Sequence, residues 1–470
     1  MRSRAARVFR GVCASIGVIV LLLLLALWRW PPDLLRVAAS YAAKIVCSNV
    51  FLAGRDPDDV LVTDVEAPGL AVMRLMRVSV DRDHGLVRAG LLGFIGKGLA
   101  VYRPAQGCTV LADGDLSAAV PPAKAPPADT SASPPSAASA PASAPSAGTA
   151  ALWPEGDAVE TRPDLDRLLH QRTAGPGIRA IVVVDHGRIV AERYGFAVDV
   201  NTPLLGWSMT KTVIAGLVGT LVHQRKLTLE QSAGWPAGDA RGKIRIADLL
   251  GMSSGLRFNE GYGTVSDITR MLYLEPDMAR FARDQPLEHP VGSFWSYSSG
   301  TANILSRIVQ DASGSGSTYA REALFDPLGM KSAVIELDER GTMVGSSYMY
   351  ATAHDWVRYG QFLLQSGVWQ GRALLPPGYV DMMATPVAAS GGQYGQGLAW
   401  KWAKDAVEPG KNPDAAYGIP PDTFWALGHD GQSMAVIRSR QLVVLRMGLT
   451  PARYRYVPEP LVKSILDATQ

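Results

Sequence analysis

The sequence predicts an α+β fold, an antiparallel sheet flanked by terminal helices with a helical region inserted into it, on three observations. Apolar runs surround a turn at His186 and Gly187 (AIVVVDHGRIVAERYG), a second pair stands near the far end (MAVIRSRQLVVLRMG), and the segments between follow helical spacing, as in MTKTVIAGLVGTLVHQRKL and TANILSRIVQDA. Strand pairs around short turns and 3.6-residue periodicity mark the two element types. Strand pairs at both ends fit a sheet closed by the two ends of one domain.

Taken in order, the chain begins with Arg2, Arg4, Arg7 and Arg10 ahead of an apolar run from Gly11 to Trp28. That run is about long enough to cross a bilayer, and the preceding positive charges keep their end in the cytoplasm. It ends in WRWPP, with two tryptophans suited to a membrane interface and no small-residue cleavage site. Residues 1–30 therefore read as an uncleaved single-pass anchor in a bacterial inner membrane, with a cleaved signal as the alternative. Either puts the rest of the chain outside the cytoplasm, in the periplasm.

Residues 31–111 read as a small module: a helix (LLRVAASYAAKIV) and strand-like runs in AVMRLMRVSV, HGLVRAGLL and GLAVYRP. Cys13 lies in the apolar run, which leaves Cys47 and Cys108 as a pair in an oxidising compartment, where a disulfide is the default. Two free buried thiols are the alternative. No chemistry is evident in this module, which reads as a spacer or a docking unit. Residues 112–151 are dominated by Ala, Pro and Ser, too poor in large apolar side chains to pack, and read as a linker. Residues 152–470 form the larger domain, closed by an amphipathic helix near Pro460 to Ala468.

Composition limits the function. The 470 residues carry a net charge of +3 and 19% charged side chains, which gives no excess to attract nucleic acid. No C-x-x-C, H-E-x-x-H or G-x-x-x-x-G-K-[ST] spacing occurs, so no metal, nucleotide or other cofactor is implied.

The chemistry-bearing stretch is GWSMTKT, in which Ser208 and Lys211 form Ser-x-x-Lys. In a helix starting near Ser208 the i, i+3 spacing puts the amine one turn from the hydroxyl, and the positive end of the helix favours an alkoxide. A desolvated lysine loses its proton readily and can act as base for a serine nucleophile. The plain alternative is that Ser208 caps the helix and Lys211 is solvated. Two further stretches bear on the choice: YSSGTAN, with Tyr297 and Ser299, and GHDGQS, with His429, Gly431 and Gln432. Singly, each is as well read as an ordinary aromatic or turn residue. A competing nucleophile stands in GMSSG, where Ser253 matches G-x-S-x-G, but helical spacing precedes it and a loop follows, the reverse of a nucleophile elbow.

In their order along the chain, SMTK, YSS and HDG resemble S-x-x-K, Y-x-N and K-T-G of the serine hydrolases of the penicillin-binding-protein and class C β-lactamase type. IADLLGMSSGL and FDPLGMKSA are similar to further segments of that family, and the resemblance covers residues 152–470. Within it, SMTK, FNEGYG, YSS and GHDGQ look most like the 6-aminohexanoate-dimer hydrolase branch. The resemblance implies a β-lactamase/transpeptidase-like fold in which Ser208 attacks and Lys211 and Tyr297 share the proton transfers. It further implies that Ser299 orients Lys211, the N–H groups of Ser208 and Gln432 hold the oxyanion, and Tyr262 touches substrate at the cleft edge. Ser299 in place of Asn and His429 in place of Lys argue against efficient β-lactam cleavage. The expected substrate is a small amide, ester or peptide, hydrolysed through an acyl-Ser208 intermediate. A D-specific peptidase, a class C-like β-lactamase and a non-hydrolytic acyl sensor remain as alternatives.

Overall fold

The computed structural model describes residues 2–69, 71–112, 114, 116, 151–397 and 412–469. The Ala/Pro/Ser stretch read as a linker lies almost entirely outside the described residues. An apolar helix, Arg2–Arg29, opens the chain. From Phe9 to Arg29 it is long and apolar enough to cross a membrane, and none of that window is buried against protein. Pro31 and Pro32 cannot continue it, since proline lacks the N–H a helix interior needs.

The next helix, Asp33–Phe51, is also apolar, but two thirds of it is buried, as befits the core helix of the small module. It lies on a four-stranded antiparallel sheet of Met76–Asp81, Leu86–Leu91, Ile95–Arg103 and Gly107–Val110. Helix and sheet meet closely at Gly98, where a Cβ would come within 2.1 Å of the Ala39 carbonyl oxygen. Only glycine fits there. A disulfide joins Cys47 on the helix to Cys108 on the last strand, as the sequence led us to expect.

The larger domain is built on a five-stranded antiparallel sheet in the order Phe424–Gly428, Gln432–Ile437, Leu442–Gly448, Ile178–Asp185, Arg188–Tyr194. The two ends of the domain do close one sheet. Its first hairpin turns at His186 and Gly187, both left-handed at φ 48° and 79°, the conformation that follows the twist of the flanking strands. Alternate residues of Ile178–Asp185 face opposite layers. Ile181 and Val183 pack with Leu165, Leu461 and Ile465 of the two terminal helices, Pro163–Leu169 and Glu459–Ala468. Val182 and Val184 face the main core with Met209, Leu217 and Trp356. The inserted helical region lies on that side.

The small module does not stand apart from this domain, as a spacer would. Val46, Cys47, Met73 and Val87 belong to the same core cluster as Met209 and Leu217. Across the junction, Lys44 and Glu336 form an ion pair, and Glu336 also accepts from the Ser48 hydroxyl at 2.8 Å and the Cys108 amide at 2.6 Å. Asp64 pairs with Arg55 of its own module at 2.6 Å and with Arg179 of the larger domain at 3.0 Å.

Candidate active site

The chain enters the site through Gly206 and Trp207. Trp207 is held in the left-handed region at φ 48°, a conformation that costs a bulky residue energy and survives only when its surroundings enforce it. Ser208 follows as the residue before the helix Met209–His223. Its hydroxyl does not cap that helix. Instead the Oγ accepts a hydrogen bond from Lys211 Nζ at 3.0 Å, one turn on.

Lys211 is 1% exposed, and its Nζ also donates to the Ser346 carbonyl at 2.8 Å. Burial is the main influence on its ammonium, bringing its pKa down to about 8, while the Glu260 carboxylate opposes the shift. The carbonyl it meets is itself held: Asn303 Oδ1 accepts from the Ser346 amide at 3.1 Å. Asn303 lies on the helix Ser299–Ser313, which therefore helps to set the lysine in place.

Tyr297 precedes that helix. Its ring lies 4.8 Å under Lys211 Nζ, and its hydroxyl is near enough to Ser208 for that side chain to lower its pKa. Burial pushes the phenol above its ordinary value, Glu260 adds to the rise, and Ser208 offsets it only in part. The phenol therefore stays protonated near neutral pH.

Ser299 is fully buried, but it does not orient Lys211 as expected. Its Oγ donates to Glu260 Oε2 at 3.2 Å and its amide donates to Glu260 Oε1. The Glu260 carboxylate takes both the Ser299 hydroxyl and the free amide of the helix's first turn. Glu260 was not singled out from the sequence, although it sits two residues before Tyr262 in FNEGYG. A single acidic residue in a loop otherwise read for its aromatic was the available signal.

At the cleft edge Tyr262, 42% exposed, stacks on His429 with ring centroids 5.0 Å apart, and Trp207 meets the same imidazole edge-on at 5.6 Å. His429 begins the tight turn His429–Gly431, in which Asp430 and Gly431 are both left-handed at φ 57° and 81°. A buried guanidinium holds this turn, Arg446 donating to the Gly431 carbonyl at 2.7 Å, to Pro176 at 2.6 Å and to Thr450 Oγ1 at 2.8 Å. Gln432 starts the next strand. Its Nε2 donates to the His429 carbonyl and its Oε1 accepts from the Gly448 amide, so its side chain ties the turn to the neighbouring strand. The structure thus brings Ser208, Lys211 and Tyr297 into contact, with Tyr262 and His429 beside them.

Ser253 lies elsewhere in role. It is buried in a turn after the helix Ile246–Leu250, its amide bonded to the Asp248 carbonyl at 2.9 Å, with no strand before it and no helix after it.

The beta-lactamase family model matches residues 165–450. This chain belongs to the beta-lactamase family. At family level that makes it a hydrolase. A 6-aminohexanoate-dimer hydrolase from Paenarthrobacter ureafaciens is 26% identical over 248 residues, 48% of this chain and 61% of that relative, so about three fifths of the relative's length is spanned. A Bacillus anthracis structure described as a 6-aminohexanoate-dimer hydrolase superposes with TM-score 0.54 at 19% identity, over 66% of this chain and 86% of that one. A Bacteroides dorei structure described as a β-lactamase gives 0.52 at 18%, over 65% and 98%. Both carry the β-lactamase/transpeptidase-like fold that this beta-lactamase-family chain shares.

Proposed function

We propose that the protein is a serine hydrolase that cleaves a small amide or ester bond through an acyl-Ser208 intermediate, in the manner of the 6-aminohexanoate-dimer hydrolase branch. The observation that carries the reading is the 3.0 Å contact between Ser208 Oγ and the buried Lys211 amine, whose basicity is already lowered to the neutral range. Lys211, in its neutral form, takes the hydroxyl proton as Oγ bonds to the substrate carbonyl carbon. The N–H groups of Ser208 and Gln432 receive the oxyanion. Tyr297, kept protonated by burial, gives its proton to the departing nitrogen or oxygen as the C–N or C–O bond breaks, and Lys211 restores it. Water then attacks the acyl ester, passes a proton to Lys211, and Ser208 regains its hydroxyl. Tyr262 and His429 form the edge against which the substrate lies.

The apolar helix Arg2–Arg29 supports anchoring in a membrane, with the basic end in the cytoplasm and the hydrolase domain in the periplasm.

The test is to follow hydrolysis of a p-nitrophenyl acyl ester and labelling by a fluorophosphonate, with intact mass, for wild type and Ser208→Ala. Turnover and a Ser208 label, both lost in the variant, are expected. Full hydrolysis by Ser208→Ala sinks the proposal, and a lasting acyl adduct without turnover makes the protein an acyl sensor. A D-specific peptidase or a class C-like β-lactamase would reveal itself as a preference for D-alanyl peptides or cephalosporins over linear amides.

A further inference from the structure

Beside the site lies a cavity of about 530 Å³, within the range of small-molecule pockets (~300–1,000 Å³), and its two walls come from the two parts of the chain. Trp207, the neighbour of Ser208, and Tyr262 and His429 at the cleft edge form one wall. Leu34, Val37, Ala38 and Met73 of the small module form the other. With Tyr41 and Pro68 beside them the module's side chains are apolar apart from one phenol hydroxyl, and the helix that carries Leu34, Val37, Ala38 and Tyr41 starts at Asp33, separated from the apolar helix ending at Arg29 by Trp30, Pro31 and Pro32 alone. At about 1.5 Å per residue, Leu34 to Ala38 follow within a few ångströms of axial rise from the start of that helix, beside the membrane interface if Arg2–Arg29 spans a bilayer.

We infer that this composite cavity binds the aliphatic chain of an amphiphilic amide or ester, with the small module supplying the wall that selects it. The inference rests on Ser208 being the nucleophile. A pocket built only to position a small polar substrate gains nothing from a largely apolar wall set opposite the aromatic edge. Burying a methylene against them gains affinity and, where the contact persists in the transition state, rate. Leu34 is 44% exposed, so the wall stays partly wetted until a ligand covers it. The module is thereby part of the substrate site.

The experiment uses the full chain in lipid nanodiscs and two ester series. In one the acyl chain grows from acetyl to octanoyl on p-nitrophenol, and in the other the alcohol chain grows on a chromogenic acid. In at least one series kcat/KM is expected to rise by on the order of 30-fold or more, since each fully buried methylene is worth up to about fourfold. Ala38→Trp, which fills the cavity, is expected to cut the octanoyl-to-acetyl ratio, or its alcohol-side counterpart, at least tenfold. Leu34→Asp, at an exposed position that tolerates charge in the folded state, is expected to cut the same ratio and guards against a variant that misfolds. A flat profile in both series, or a wild-type ratio in both variants, overturns the inference while leaving acetyl-ester turnover and Ser208 labelling as evidence for the nucleophile. Hydrolysis surviving in Ser208→Ala, by contrast, removes the reading on which the inference stands.

Discussion

Lys44 of the small module and Glu336 of the larger domain are ion-paired with side chains 1% and 0% exposed. Burial pushes the lysine down and the glutamic acid up, and each partner's charge resists the shift in the other. Breaking such a pair leaves a buried charge alone, at a cost of about 3–5 kcal/mol. Lys44→Met is expected to lose that much stability in urea denaturation. Lys44→Met with Glu336→Leu should recover most of it, and a double variant no better than the single would show that Glu336 serves mainly the Ser48 and Cys108 contacts.

Lys211 has a pKa of about 8, so it is charged below that pH and neutral, hence able to act as base, above it. The kcat/KM of ester hydrolysis should therefore rise through about pH 8 and level off. Glu260 opposes the burial shift, so Glu260→Gln should move the rise to lower pH. An unmoved profile would mean that Glu260 is uncharged when the enzyme works.

Gly431 is left-handed at φ 81°, and a Cβ there would lie 2.8 Å from Arg446 Nη1. Gly431→Ala should cost about 1–2 kcal/mol of stability from the backbone alone. It should also shift the Gln432 amide, and a displacement of ~1 Å in such a donor lowers turnover by roughly 10²-fold. Thermal melts and kcat together test this, and an alanine variant with normal kcat would remove Gln432 from the oxyanion site.

The Cys47–Cys108 bridge closes a loop with a sequence separation of 61 residues. On the chain-entropy account a loop of that size contributes about 4 kcal/mol. Replacing both cysteines with alanine should lower stability by that order and raise hydrogen exchange first in Asp33–Phe51 and Gly107–Val110. Unchanged exchange there would show that the module is held by its packing alone.

Ser253→Ala should keep hydrolysis within about twofold, because only its backbone is used in the turn. Complete loss in a folded variant would transfer the nucleophile to Ser253.

The sheet and the Ser208–Lys211 pair were legible because their signals are local: alternating runs on either side of short turns, and two side chains one helical turn apart. Tyr297 and His429 could be found only as parts of ordered phrases, since neither residue type carries a role by itself. Glu260 escaped because its partners, the Ser299 amide and the Lys211 charge, are brought to it by the fold. The Lys44–Glu336 pair left a fainter trace, a lone lysine in ASYAAKIVCSNV and a lone glutamate between Ile335 and Leu337. Each is a charge in a run that otherwise reads as buried, and such charges call for one another. The packing of the small module against the cleft had no sequence signal, because a Pro-rich stretch between two folded parts specifies separation along the chain and says nothing of contact in space.

The pairing of Ile178–Asp185 with Leu442–Gly448 bears on how the protein is made. A ribosome delivers the serine, the lysine and the tyrosine long before the strand that completes the sheet. Until that last strand arrives, Ile178–Asp185 has one open edge, a state that invites proteases and aggregation more than catalysis. A prematurely released copy therefore carries Ser208, Lys211 and Tyr297 without Gln432 or the Arg446 brace. On the proposed mechanism, the last strands to be synthesised are therefore the ones that complete the site.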